Sequence, residues 1–91
     1  MDFLEEKGRI YTLDASGKLL AEVTFPDDGD IAIIDHTFVD ESLRGQGMAS
    51  QLLRHAVDAI RRQGKKARPV CSYAVTWFEK HPEEKDLLEE E

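Results

Sequence analysis

Residues 40–49 constrain the fold of this chain most, because they join an apolar run to a long amphipathic segment through glycines at positions 45 and 47. The apolar run, residues 31–39, predicts a central strand that is covered on both faces. The following segment, residues 48–63, places apolar side chains at helical spacing along one face. The sequence therefore predicts a strand, a tight turn and a helix in succession.

The predicted turn is suited to binding an anion. Two closely spaced glycines allow the backbone to turn sharply and leave space for a ligand close to it. The first N–H groups of the helix have no partner within the helix, and the helix dipole adds partial positive charge at that end. Helix starts of this kind commonly bind phosphate. The alternative is a plain strand-to-helix turn without a ligand.

The spacing of this loop excludes two familiar phosphate-binding motifs. No Lys-Ser or Lys-Thr pair follows the second glycine, as a P-loop requires, and the third small residue comes too early for the dinucleotide fingerprint. The loop instead fits the pattern Arg-x-x-Gly-x-Ala, which resembles the pyrophosphate loop of the GNAT superfamily of N-acetyltransferases. The resemblance implies that acetyl-CoA or coenzyme A is bound by Arg44, Gly45, Gln46, Gly47, Met48 and Ala49.

Size and composition predict one small domain, residues 1–91. No apolar run is long enough to span a membrane, and the acidic first residues lack the basic and apolar regions of a signal peptide. The single cysteine precludes an internal disulfide, so we expect a cytoplasmic protein, either a monomer or a weak homodimer. The net charge of −7 argues against nucleic-acid binding.

Charge is distributed unevenly along the chain. Residues 44–68 carry seven Lys or Arg and one acid, whereas the remaining residues are strongly acidic. This local positive charge would attract a phosphate-rich cofactor to the glycine turn. A solvated basic helix face is the alternative explanation.

The pattern of the whole chain predicts the order βββαβα. The predicted strands are residues 9–14, 19–25, 31–39 and 66–70, with helices at residues 48–63 and 72–80. Ser72 is a candidate N-cap. Residues 83–91 read as a frayed last helical turn and an acidic tail, with Leu87 and Leu88 as the residues that could pin it down. The sequence therefore predicts an α+β fold of minimal GNAT type, with a central mixed sheet packed by two helices. Ligands in such sheets bind beyond the carboxyl ends of the strands, so the glycine loop and Cys71 should line one cleft.

A second set of motifs makes the resemblance more specific. Residues 36–39 read His-Thr-Phe-Val before the glycine loop, residues 69–74 read Pro-Val-Cys-Ser-Tyr-Ala, and His-Pro-Glu follows at residues 81–83. Over about residues 8–88 the chain resembles a family of very small GNAT-like proteins that is named in part for its cysteine and glycine motifs. The resemblance implies acetyl-CoA binding and makes Cys71 a candidate for catalysis.

Two departures from larger GNAT enzymes bear on the mechanism. The chain is too short for the helices that build the acceptor site between the first strands, so we expect an open acceptor side or a partner that completes it. Phe78 occupies the position at which many GNAT enzymes carry the tyrosine that protonates the departing thiolate. Cys71 or Tyr73 would then supply this proton, or the chemistry differs or is absent.

The leading hypothesis is acetyl transfer to an unidentified amine, either a small molecule or a protein. Backbone N–H groups at Phe38 or Val39 would polarise the thioester carbonyl. His36 and Glu41 are candidate bases, although His36 also fits a structural role. Cys71 is a candidate covalent relay, general acid or wall of the acyl pocket. No metal site is predicted. The alternatives are a non-catalytic module that binds CoA or a protein partner, and a purely structural domain.

Overall fold

A computed structural model describes residues 2–90 of the chain. Its strands are β1 (Leu4–Glu6), β2 (Arg9–Leu13), β3 (Leu19–Thr24), β4 (Asp27–Asp28), β5 (Ile31–Ile34), β6 (His36–Val39) and β7 (Lys66–Pro69). Its α-helices are α1 (Met48–Arg62) and α2 (Ser72–Lys80), and 3₁₀ helices span Glu41–Leu43 and Pro82–Leu87. This element content confirms the predicted α+β class.

The apolar run predicted as one strand is divided at Asp35 into β5 and β6, and the sheet is divided with it. β1, β2, β3 and β6 form an antiparallel sheet in that order, whereas β4, β5 and β7 form a mixed sheet in which β5 and β7 are parallel. Asp35 donates its backbone N–H to the carbonyl oxygen of Thr24, and its carboxylate accepts the hydroxyl of Thr24. These bonds hold the point at which the chain passes from one sheet to the other.

The hydrophobic core lies where α1 packs against strands of both sheets. β3 alternates as predicted, with Ala21 and Val23 buried and Phe25 buried directly after the strand. The predicted apolar stripe of α1 is buried as well, through Met48, Leu52, Leu53, Ala56, Val57, Ala59 and Ile60. From α2, Trp77 and Phe78 also belong to the core.

A 3₁₀ helix, Pro82–Leu87, stands where a frayed helical turn was predicted, and it is held by the two leucines that were predicted to pin the segment. Leu87 is buried, and Leu88 forms a bridge to Ala67 of β7. Glu89 donates its N–H to the carbonyl oxygen of Ala67 at 3.1 Å. Backbone bonding along the edge of β7 therefore orders a segment that its acidic composition predicts to be loose; Glu91 lies outside the described residues.

The helices have the predicted extent within one residue. α1 ends at Arg62 rather than at residue 63, and Gly64 follows in the left-handed region with φ 70°. α2 spans the predicted residues 72–80. Within residues 2–90, no helix is both long enough and apolar enough to cross a membrane.

Candidate active site

β5 pairs with β7, whereas β6 pairs with β3. A cleft opens where these two strands diverge, beside the start of α2. The carbonyl oxygen of Ile34 accepts hydrogen bonds from the N–H groups of Val70 and Cys71, with N···O distances of 3.0 and 3.3 Å. Beyond Asp35 the chain pairs with β3 instead, and beyond Cys71 it enters α2. The cleft is therefore bordered by β6 on one side and by the first turn of α2 on the other.

A pocket of about 230 Å³ lies in this cleft. It brings together β6, the first turn of α2 and the loop before α1, and its lining consists of Val39, Leu43, Arg44, Gly45, Gly47, Met48, Ala49 and Tyr73. Leu43 was not among the predicted site residues. Gln46 does not line the pocket; its side-chain amide donates to the carbonyl oxygen of Ser42 at 3.4 Å. The predicted glycine loop and Tyr73 thus share one pocket, whereas Cys71 and Phe38, also predicted for the site, are not among its lining residues.

A capped 3₁₀ turn and two left-handed glycines shape the loop. The carboxylate of Asp40 accepts the hydroxyl and the N–H of Ser42 at 2.6 and 3.1 Å, and these bonds hold the pKa of that carboxyl below its ordinary value. Gly45 and Gly47 have φ angles of 81° and 73°, a region costly for residues with a side chain. A Cβ added at either glycine would meet no atom within 4 Å. The glycines are therefore required for the left-handed backbone conformation, and the space beside them is open.

The start of α1 fits a phosphate group. Its N-cap is Gly47, so no side chain bonds to the first N–H groups of the helix, and the first turn carries no acidic residue. Unbonded helical N–H groups and the helix dipole favour a bound anion at such an end. The exposed Arg44 lies in the same pocket and, within residues 2–90, forms no ion pair. The residues present therefore fit the diphosphate of a coenzyme.

Ion pairs neutralise most of the basic block that was predicted to attract a phosphate cofactor. Arg61 contacts both Glu84 and Asp86, with N···O distances of 3.0 and 2.9 Å. Further pairs join Arg54 to Glu83 and Glu84, Arg62 to Glu5, Lys65 to Asp27, and Arg68 to Asp28 and Glu89. The attraction for phosphate consequently depends on the loop backbone and Arg44 rather than on the field of the whole block.

Cys71, and not Ser72, is the N-cap of α2. Its backbone is extended, and its Sγ accepts a hydrogen bond from the N–H of Ala74 at 3.4 Å. Across the cleft, Oγ1 of Thr37 lies 3.4 Å from the same sulfur. Thr37 was not among the predicted site residues, although the period-2 alternation of β6 places it on the same face as Val39.

The alternation of β6 separates the predicted site residues onto two faces. Thr37 and Val39 face the cleft, whereas His36 and Phe38 lie on the opposite, exposed face. Nε2 of His36 lies 3.5 Å from a carboxylate oxygen of Glu22. The structure does not bring the His36 side chain to Cys71, and its role as a base stays a prediction.

The register of β6 decides which of its N–H groups face the cleft. Asp40 donates its N–H to the carbonyl oxygen of Leu20 on β3 at 2.7 Å. In an antiparallel ladder, residues bonded to the partner strand alternate with residues that are not. Phe38 therefore bonds to Glu22, its partner on β3, whereas the N–H of Val39 points toward the open edge. Of the two candidate oxyanion donors, Val39 is the one directed into the cleft.

Tyr73 presents a phenol to the pocket. The side chain is 40% exposed, and its partial burial raises the pKa of the phenol above the ordinary value. The phenol is therefore protonated at neutral pH and can donate a proton. Phe78, which occupies the position of the thiolate-protonating tyrosine of many GNAT enzymes, is buried in the core.

A glycine turn before a helix, set beside a cleft between diverging strands, is the arrangement of the GNAT class of folds. Comparison with known proteins agrees: the chain belongs to the GCN5-related N-acetyltransferase family, whose sequence profile matches residues 9–87. The predicted resemblance is confirmed, and acetyl-CoA is the cofactor that this membership implies. No protein with a curated description matches the chain.

Solved structures share this fold. A GCN5-like protein from Staphylococcus aureus is 30% identical, with a TM-score of 0.79 over 97% of this chain and 87% of that chain. An acetyltransferase from Bacillus cereus is 25% identical, with a TM-score of 0.67 over 86% and 63% of the two chains. A GNAT family N-acetyltransferase from Escherichia coli in complex with CoA is 24% identical, with a TM-score of 0.62 over 75% and 42%. The last similarity concerns the fold alone.

Proposed function

We propose that this protein transfers an acetyl group from acetyl-CoA to an amine. The observation that carries this proposal is the pocket in which the uncapped start of α1 and Arg44 face Val39 and Tyr73. Acetyl-CoA supplies the activated thioester when it is bound. Family membership supports the reaction class, and the open pocket supports the binding mode.

Binding depends on the loop before α1. The N–H groups from Gly45 to Ala49 bind the diphosphate, and Arg44 adds charge-assisted hydrogen bonds. The pocket volume of about 230 Å³ lies below the usual range of ligand pockets, about 300–1,000 Å³. We therefore place only the diphosphate end of the coenzyme in this pocket. The rest of the coenzyme follows the cleft along β6.

The chemical step uses groups on both sides of the cleft. The N–H of Val39 stabilises negative charge on the carbonyl oxygen; in other enzymes removing such a donor costs about 2.7–4 kcal/mol. The protonated phenol of Tyr73 supplies the proton for the leaving thiolate. Cys71 accepts the acetyl group on Sγ before the amine does, or lines the acyl pocket, and these roles are distinguished by Cys71→Ala.

The acceptor approaches from the exposed face of the antiparallel sheet. In the part of the chain that the structure describes, no helix lies between β1 and β3, so this face is open. His36 lies there with Glu22 and is the proposed base for the proton of the amine. An open face of this kind suits a large acceptor, such as a protein amine.

The direct test is a titration of the melting temperature with acetyl-CoA and with CoA. A ligand at about 100 times its dissociation constant adds about 2.7 kcal/mol to the stability of the folded state. Each 1 kcal/mol shifts the melting temperature of a domain this small by roughly 4–8 °C. Release of CoA thiol is then measured with a panel of small and protein amines. No shift at millimolar ligand would contradict the proposal.

A non-catalytic module that binds CoA is the second candidate. Two observations favour it: Phe78 cannot donate a proton, and no helix between β1 and β3 builds an acceptor site within residues 2–90. This candidate predicts the same shift in melting temperature as the enzyme. It is distinguished by the absence of thiol release with every amine, and acetyl on Cys71 in mass spectra after incubation with acetyl-CoA would contradict it.

A further inference from the structure

We propose that Thr37 is a positioning residue that orients the sulfur of Cys71 in the cleft and stabilises its nucleophilic form. The inference rests on the proposed acetyl transfer, in which Cys71 accepts the acetyl group. Its structural basis is the 3.4 Å contact between Thr37 Oγ1 and Cys71 Sγ. This contact joins β6 to the first residue before α2, the two elements that border the cleft.

The hydrogen bonds around the sulfur serve both of its protonation forms. The N–H of Ala74 donates to Sγ at 3.4 Å, so the sulfur already accepts one bond. A hydroxyl can donate or accept. When Cys71 is a thiol, its S–H can donate to Thr37; when it is a thiolate, the hydroxyl turns and donates to the sulfur. Two donors then stabilise the thiolate, which is the nucleophile.

The backbone fixes both partners of this contact. Cys71 is bonded through its N–H to the carbonyl oxygen of Ile34 at 3.3 Å, which sets the start of α2. Thr37 is paired with the buried Val23 on the neighbouring strand. Because threonine is branched at Cβ, its χ1 angle is restricted, which limits the positions of Oγ1 while leaving the O–H bond free to rotate. The contact is therefore a property of the fold and requires no ligand.

Thr37→Val tests the role of the hydroxyl, because valine keeps the shape of threonine without its oxygen. The measurement is the rate at which iodoacetamide alkylates the folded protein at fixed pH, followed by intact mass. In this reaction Sγ bonds to the reagent carbon, iodide leaves, and the thiol proton passes to solvent. We expect the rate to fall about fourfold or more, because the loss of a hydrogen bond to a charged atom is partly offset by the greater nucleophilicity of the less stabilised thiolate.

Two controls separate the hydroxyl from packing. Thr37→Ser retains the hydroxyl and loses the methyl group, so its alkylation rate should remain within about threefold of the parent, since the hydrogen bond to a charged sulfur is kept. Thr76→Val removes a hydroxyl from the exposed side of α2 and should have no effect. The melting temperature is measured for each variant. If Thr37→Val perturbs folding, Thr37→Ala is compared with Thr37→Ser: lower reactivity in the alanine variant alone supports the proposal, and equal rates in the two variants overturn it.

Parental reactivity in a folded Thr37→Val variant, or loss of reactivity in Thr37→Ser, would overturn the inference. Alkylation requires no cofactor, so this result is independent of the titration with acetyl-CoA. In the acetyl-transfer assay, Thr37→Val should lower kcat while the dissociation constant for acetyl-CoA is unchanged, because Thr37 is not among the residues lining the pocket. An equal change in both quantities would indicate a general disturbance of the cleft and would contradict the assigned role.

Discussion

The backbone N–H of Cys71 donates a hydrogen bond to the carbonyl oxygen of Ile34, with an N···O distance of 3.3 Å. The bond ties the residue before α2 to the last residue of β5. The location of the sulfur is thus determined by the backbone, and replacing the side chain leaves this bond intact. Cys71→Ala keeps this bond but removes the N-cap of α2, which costs about 0.5–2 kcal/mol; Cys71→Ser, whose oxygen can still cap the helix, is therefore the matched control for the chemical role of the thiol.

Gly47→Glu should abolish the shift in melting temperature produced by acetyl-CoA. The substitution puts a side chain and a negative charge into the open space before α1, where the diphosphate is proposed to bind. Gly64→Glu is the matched control, because Gly64 also has a positive φ and lies at the other end of α1. Both variants carry about 1–2 kcal/mol of backbone strain. An intact ligand response in Gly47→Glu would exclude the loop as the binding site.

Tyr73→Phe should lower kcat by about 10²–10⁴-fold, the usual contribution of a general acid, without weakening cofactor binding. Partial burial raises the pKa of the Tyr73 phenol, so the acid form is present across neutral pH and is lost only as the pH rises through that raised value. The parent should therefore show no loss of activity from this group below about pH 10, its ordinary value. Thr76→Val, which removes a hydroxyl from the exposed side of α2, serves as the control. Unchanged turnover in Tyr73→Phe would remove the phenol from the mechanism.

His36→Gln should lower kcat and leave the dissociation constant for acetyl-CoA unchanged, because His36 lies on the face of β6 opposite the pocket. His55→Gln is the control: this histidine is on α1 and contacts the ring of Phe3 at a centroid distance of 4.4 Å. Thiol release is measured for both variants with the same amine. Equal rates for the two would assign His36 to a structural role with Glu22.

Arg61→Ala should lower the melting temperature at neutral pH and have no effect in acid. A hydrogen bond from Arg61 lowers the pKa of Asp86 below its ordinary value. The stabilisation is complete above the pKa of the unfolded chain, about 3.9, and is lost as the pH falls through the lower folded value. Because the pair is exposed, we expect a difference of only a few degrees at pH 7. A difference that persists below about pH 2 would contradict the electrostatic origin of the effect.

Features that depend on neighbouring residues in the chain could be predicted from the sequence. The stripe of apolar residues between two glycines determines α1, and the loop motif before it depends only on local order. The bounds of α2 are likewise those predicted, although its N-cap is Cys71 rather than Ser72. The sulfur of a cysteine at the N-cap can accept the same hydrogen bond from a backbone N–H as a serine hydroxyl. The usual N-cap preferences of the amino acids do not indicate this.

Features that depend on pairing between distant segments could not be predicted. The division at Asp35 depends on its hydrogen bonds to Thr24, a residue of another strand. The exposed β1 and β4 are acidic segments ordered by pairing with β2 and β5. The contact between Thr37 and Cys71 joins segments far apart in the chain. Neutralisation of the basic block also required the tertiary positions of its acidic partners.

The junction at Asp35 has a consequence for how such proteins can diverge. β5 takes its register from β7, and β6 takes its register from β3, so the two ladders are set independently. An insertion or deletion of one residue at the junction would leave the ladder of β5 intact. It would shift β6 by one residue and so turn each of its side chains to the other face of the sheet. Thr37 and Val39 would then turn outward, and His36 and Phe38 would turn into the cleft. A single codon gained or lost at this point would thus exchange the chemical groups of the cleft while the ladder between β5 and β7 keeps its register.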